Sequence, residues 1–202
     1  MKDELMGKRM NRDDLSKKLI HFTKGEESEA ANTLQRILFE GKLRGGSGFI
    51  KGGFKCVCFT ESPIGKISQI LSGSLSSNFS YAPFGIMVDK LWLFKQGGRP
   101  VFYQSEQEYE LLHNDQKYRH KRYEPDNGID FTWEREWRIK TDELPLDPNQ
   151  TTVIVPSRKW EENWIEKHMG HIRFAVQSLG DLGAQYVEQC QWHFIVLEDL
   201  GL

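Results

Sequence analysis

WEREWRI occupies residues 133–139, Trp133-Glu134-Arg135-Glu136-Trp137-Arg138-Ile139. Within residues 131–140 the spacing predicts a β-strand. Successive side chains of a strand point to opposite faces. Glu134, Glu136 and Arg138 then share one face, and Trp133, Arg135 and Trp137 share the other. Two readings follow. In the first, the tryptophans face inward and the carboxylates form a solvated, salt-bridged face. In the second, Glu136 lies in a cleft near a reacting centre that develops positive charge.

Just upstream, Lys117-Tyr118-Arg119-His120-Lys121-Arg122-Tyr123 is a basic run with interleaved tyrosines. It falls in residues 115–130, read as an inserted loop. Such a run is a solvated loop or helix end, or it contacts a polyanion through phosphate pairing and base stacking. Further out, short elements alternate. Strands are expected at residues 19–23, 54–61, 84–88, 100–103, 151–155 and 191–197. Helices are expected at 30–39, 64–71, 105–112 and 159–169, with a helical turn at 90–95. Gly41 is expected to cap the first helix. Ser105 and Glu108 are spaced as a capping box, and Trp160, Trp164 and Ile165 share one face of the last helix. Residues 41–53 hold six glycines and read as a long mobile loop; residues 72–80 read as a Ser/Gly-rich loop. Short strands without a regular βαβ alternation point to an α+β fold.

The chain has 202 residues, 38% apolar and 12% aromatic, enough to bury a core as a single domain over 1–202, with 1–17 a flexible arm or short helix. A net charge of −2 gives no global signature for nucleic acid or membrane binding. Three cysteines, Cys56, Cys58 and Cys190, are too few and too closely spaced for a zinc knuckle. An odd count without a signal peptide points to the reducing cytoplasm. No apolar run reaches the length of a membrane span.

Two further pieces carry polar or aromatic chemistry. Ile20-His21-Phe22-Thr23 puts His21 and Thr23 on one face of a short apolar strand. Ser80-Tyr81-Ala82-Pro83-Phe84-Gly85 is a ring-rich turn entering a strand, where Tyr81 and Phe84 are placed to stack on a planar ligand or to fill core. Taken in order, LIHFT, LQRILFEGKLR, VCFTESP, YAPFGI, RPVFY and EREWRI over residues 19–139 resemble the ADP-ribosyltransferase superfamily. The closer resemblance is to bacterial abortive-infection proteins of the AbiGi type, with DarT-type DNA-modifying toxins more distant. The resemblance implies a split, mostly antiparallel two-sheet core with short peripheral helices and an NAD cleft between the sheets. It implies that His21, with Phe22 and Thr23 beside it, contacts ribose oxygens. It implies that Tyr81 or Phe84 stacks on nicotinamide. Glu136 would bond the nicotinamide-ribose 2′-hydroxyl, and Glu134 would orient or activate the acceptor. NAD is the implied co-substrate, with no metal. The implied acceptor is nucleic acid or protein, with Lys117, Arg119, Arg122 and Tyr123 as its contacts, and a cognate toxin or antitoxin is an implied partner.

Two other functions compete. One is a catalytically inactive copy of the same fold that binds a protein partner. The other is a nuclease drawing on His113, His120, His168 and His171, the last two spaced to bind a metal on one helix, although Gly170 is expected to break that helix.

Overall fold

The computed structural model describes residues 16–48, 50–68, 70–71, 81–179 and 190–202, without the side chains of 171–173, 175–176 and 179. The expected loop at 72–80 and nearly all of the expected arm at 1–17 lie outside those residues. Seven strands pair in the order β11 (His193–Val196), β10 (Thr151–Val155), β4 (Tyr81–Asp89), β1 (Lys18–Lys24), β3 (Cys56–Thr60), β8 (Glu136–Lys140) and β5 (Arg99–Pro100). All neighbours are antiparallel except β10 and β11, so the sheet is mixed. Two small ladders flank it: β2 (Lys42–Arg44) with β9 (Glu143–Pro145), and β6 (Phe102–Gln104) with β7 (His120–Arg122). With helices α1 (Glu27–Glu40), α2 (Lys90–Lys95) and α3 (Arg158–Leu179), the fold is α+β. The expected pair of core sheets is instead one continuous sheet, whose narrowest join is β1–β3, held by the single pair Ile20↔Thr60.

Strand alternation assigns the two faces. Leu19, Val57, Phe59, Phe84, Ile86, Val88, Trp137 and Val153 bury one face, which also packs Leu34 of α1 and Trp164 of α3. Ile20, Phe22, Met87 and Ile154 bury the other beneath Ile67, Ile70 and Leu197. Each such large side chain contributes about 1.5–3 kcal/mol by leaving water. Phe84 is a core residue, with its ring centroid 5.1 Å from Trp160 and 5.9 Å from Trp164.

The ends of the helices follow their sequence. Gly41 closes α1 at φ 63°, a left-handed position that glycine adopts at no steric cost. Asp89 caps α2 by accepting from the Leu91 and Trp92 N–H groups at 2.9 and 3.1 Å. Ser105 and Glu108 do form a reciprocal cap, but over a 3-10 turn, Glu108–Leu111, rather than a full helix. The helix α3 runs unbroken through Gly170, because a single exposed glycine costs a helix only about 1 kcal/mol. The expected long loop at 41–53 contains β2 and an isolated bridge from Gly46 to Cys56.

A bulge shapes the middle of the sheet. β1 and β4 pair at Phe22↔Gly85 and next at Lys24↔Tyr81, so Thr23 alone faces residues 82–84. Pro83 has no N–H to give a ladder, and it sits where β10 has already stopped pairing at Ile154↔Gly85. The Thr23 hydroxyl donates to the Phe84 carbonyl at 3.1 Å, replacing a lost ladder bond.

Candidate active-site cleft

Continuing the β1–β3 register beyond Ile20↔Thr60 would pair Phe22 with Cys58. Among the described residues that ladder does not form. The strands part instead, and the His21 imidazole enters the gap. Its Nδ1 lies 2.8 Å from the Cys58 carbonyl, and its ring packs edge-on to Phe59 at 5.8 Å. Burial pushes the His21 pKa down, only partly offset by that hydrogen bond, and nearby Lys24 pushes the same way. The ring is therefore neutral at pH 7. Since a carbonyl only accepts, Nδ1 carries the proton and Nε2 is the acceptor.

Beyond the gap lies a cavity of about 270 Å³, lined by His21, Phe22, Tyr81, Glu134 and Glu136 among others. Residues from the first strand, the ring-rich stretch and WEREWRI thus share one cleft. The Tyr81 ring lies 6.0 Å from Phe22, with the Lys24 ammonium 5.1 Å from its centroid. Burial pushes the Tyr81 phenol up, and the Glu134 and Glu136 carboxylates push it further, so it stays protonated.

WEREWRI itself departs from a plain strand. Thr132–Glu134 is a 3-10 turn, Arg135 takes the left-handed conformation at φ 44°, and β8 begins only at Glu136. The turn is bound to the end of β3. Thr60 Oγ1 donates to the Glu134 carbonyl, the Glu61 N–H donates to the Arg135 carbonyl at 3.2 Å, and Ser62 Oγ donates to the Trp133 carbonyl at 3.4 Å. The expected face-sharing of the two tryptophans fails for this reason. Trp133 is 39% exposed at the cleft, whereas Trp137 is buried, its Nε1–H donating to Glu61 at 2.8 Å. Glu61 also holds Lys90 at 2.6 Å. The turn delivers Glu134 to the cleft where strand alternation alone had been expected to do so.

The two carboxylates sit in a dense charge network. Glu134 is 6% exposed and Glu136 is 7% exposed. Arg138, the neighbour of Glu136 on the same face of β8, donates from Nε to Oε1 at 2.7 Å and from Nη2 to Oε2 at 3.2 Å. Its Nη1 bonds the Tyr118 and His120 carbonyls, both at 2.8 Å. The Lys121 ammonium stands 3.0 Å from Glu134 Oε2 and 3.2 Å from Glu136 Oε2. Tyr103 accepts the Glu136 backbone N–H at 2.9 Å. Burial alone would raise the Glu136 pKa, but Arg138, Lys121 and the donated hydrogen bonds outweigh it and hold it at about 2. Burial lifts the Cys58 thiol well above its ordinary range, and the adjacent Glu136 lifts it further, so this cleft-lining group stays protonated and donates to Glu136.

The other predicted site residues lie elsewhere. Thr23 and Phe84 are buried in the interior and do not line the cavity. The inserted loop is structured, with 3-10 turns Lys117–Arg119 and Pro125–Asn127 around β7. Lys117 pairs with Glu110 at 3.2 Å and lies over Tyr109. Arg119 donates to the Pro100 carbonyl at 2.9 Å and stacks 3.9 Å from Phe102. Arg122 pairs with Glu124, and the Tyr123 N–H donates to the Gln104 carbonyl at 2.9 Å. None of these four lines the cavity. Four cationic residues to which the sequence assigned no contact do line it: Lys24, Arg44, Lys121 and Arg138. Reading residues 120–122 as a strand would have separated Lys121 from its neighbours by alternation. A second hollow of about 650 Å³, between α1, α3 and β11, is lined by His168 of the nuclease reading and by none of the residues expected to contact NAD or its acceptor. Among the described residues no cluster of histidine, cysteine or acidic side chains is placed to hold a metal, and no helix is long and apolar enough to cross a membrane.

No family model matches the chain, and no curated protein and no solved structure matches it either.

Proposed function

We propose that this cleft binds NAD and that the chain is an ADP-ribosyltransferase of a bacterial defence or toxin–antitoxin system, modifying a nucleic-acid or protein acceptor. The observation that carries the reading is the lining of one cavity by His21, Tyr81, Glu134 and Glu136, contributed by three remote segments. The charge balance supports it. Four cationic side chains (Lys24, Arg44, Lys121 and Arg138) line the cleft against two carboxylates, which suits a ligand carrying phosphates. At about 270 Å³ the cavity is near the small end of ligand pockets. It accommodates the nicotinamide-ribose end, leaving the adenosine end at the mouth.

In this account the Tyr81 ring covers the nicotinamide and the neutral His21 accepts a ribose hydroxyl. The glycosidic bond breaks with its electron pair leaving on nicotinamide, and positive charge develops on the ribose. A fixed carboxylate beside that charge, away from bulk water, lowers the barrier. Glu136 is ionised at neutral pH and fixed by Arg138. Its weakest donor is the Cys58 thiol, the one that a ribose 2′-hydroxyl displaces. Glu134 takes the proton of the attacking acceptor as the new bond forms.

The test is nicotinamide release from NAD by the purified chain, offered single-stranded DNA, RNA and cellular protein as acceptors. Glu134→Gln and Glu136→Gln should each lower the rate roughly 10²–10³-fold while the melting curve remains cooperative. Full turnover in Glu136→Gln contradicts the assignment. A second reading, an inactive fold that binds a protein partner, is favoured by one observation: cations already hold both oxygens of Glu136. It predicts no NAD turnover with any acceptor.

A further inference from the structure

Two carboxylates that share a site repel, and ordinarily one of them takes up a proton. Here Glu134 and Glu136 are both buried at one cleft. What lies between them is the Lys121 ammonium, which reaches Oε2 of each acid. Its place is set by backbone rather than by chance of a long side chain. β7 pairs with β6 at Tyr103↔Lys121, and Arg138 holds the carbonyls of Tyr118 and His120. The His120 ring meets the Ser105 carbonyl at 3.0 Å, fixing the same segment from the other side. Arg138 grips Glu136 and the backbone leading to Lys121 together, but it makes no bond to Glu134 among those described. The ammonium also lies over the Phe131 ring, 4.7 Å from its centroid.

We infer that Lys121 is a positioning residue, the bridging ammonium that holds Glu134 and Glu136 as one fixed pair facing the cleft. The inference rests on reading the cleft as the active site. Lys121 acts through the two acids and need not touch the reacting atoms. The charged and titratable groups that face the pair are Lys24 and His21 from β1, Cys56 and Cys58 from β3, Tyr81 from β4, Tyr103 from β6 and Arg138 from β8. Tyr81 and Cys58 are protonated and His21 is neutral, so removing Lys121 leaves Arg138 and the more exposed Lys24 as the cations beside the two acids.

The experiment compares the wild-type chain with Lys121→Met and Lys121→Arg. Lys121→Gln is a polar second variant should the methionine chain fail to fold. Two readouts are taken: carbon-13 NMR titration of the glutamate side-chain carboxyls, and nicotinamide release against pH. In Lys121→Met or Lys121→Gln one carboxyl of the pair should titrate at distinctly higher pH. The acid limb of the rate profile should move the same way, and kcat should fall roughly 10–100-fold with little change in KM. Lys121→Arg should restore both readouts towards wild type. If the wild-type chain releases no nicotinamide, the functional reading fails, and the carboxyl titration alone still decides the inference. Carboxyl titrations that are unchanged on loss of Lys121 overturn it.

Discussion

The side chain on which most depends is Arg138, 2% exposed and the largest of the fully buried residues. Its guanidinium gives four described hydrogen bonds, two to Glu136 and two to carbonyls of the segment before Lys121. The planar fork of arginine suits that bidentate grip, and lysine does not replace it. Arg138→Met should destabilise the protein by about 3–5 kcal/mol, because it strands a buried carboxylate and two carbonyls; chemical denaturation reads this directly. The pair also sets an acid limit. Glu136 is held at about 2 when folded and titrates in the ordinary glutamate range, near 4.3, when unfolded. The depressed value means that the stabilisation is complete above that range and is lost as pH falls from it towards 2. Linkage makes it worth on the order of 3 kcal/mol. His21 adds to the acid sensitivity from a higher starting point. Its folded pKa is lowered, so stability begins to fall below about pH 6.5, where the unfolded imidazole takes up its proton. Urea midpoints measured from pH 7 down to pH 3 should fall, and a flat profile would contradict both assignments.

At the scale of elements, legibility divided along periodicity. β10, β1 and α1 were readable because apolar residues recur at strand or helix spacing, and Gly41 marked its boundary correctly. The WEREWRI segment was not readable as built. Its charge alternation mimics a strand from residue 131, while hydrogen bonds from Thr60, Glu61 and Ser62 impose a turn through Glu134 and a left-handed Arg135. Those partners lie over 70 residues away in sequence, so no local pattern announces them. The basic run misled in a related way. Lys117, Arg119 and Arg122 resemble a polyanion contact in composition, yet each is engaged by an acid, a carbonyl or a ring of its own surroundings. Only Lys121 enters the cleft, and its role depends on a strand, β7, that three residues are too few to reveal. Gly85 shows the same dependence on distant packing. A Cβ there would lie 2.7 Å from the His21 carbonyl, closer than real contacts permit. Gly85→Ala should therefore push β1 away from β4, lower stability by about 1–3 kcal/mol, and weaken any ligand that rests on His21. Thermal melts and ligand titration of this variant test the dependence of the cleft wall on the β1–β4 spacing.

The whole molecule is a sheet that opens along one seam. Six of its seven strands are joined by antiparallel pairs, and β11 adds in parallel at the edge. Both faces carry buried apolar clusters, which hold the sheet together on either side of the single Ile20↔Thr60 join. The cleft can exist because those clusters do not rely on a continued β1–β3 ladder. That architecture brings His21, Tyr81, Glu134 and Glu136 to one cavity, a convergence that the order of motifs suggested and whose geometry no single motif contains. The most direct test is a crystal structure of the chain soaked with a non-cleavable NAD analogue. The account predicts the nicotinamide ring against Tyr81, with the ribose between His21 and Glu136 in the β1–β3 seam. Analogue bound elsewhere, or an empty seam at saturating concentration, would contradict it.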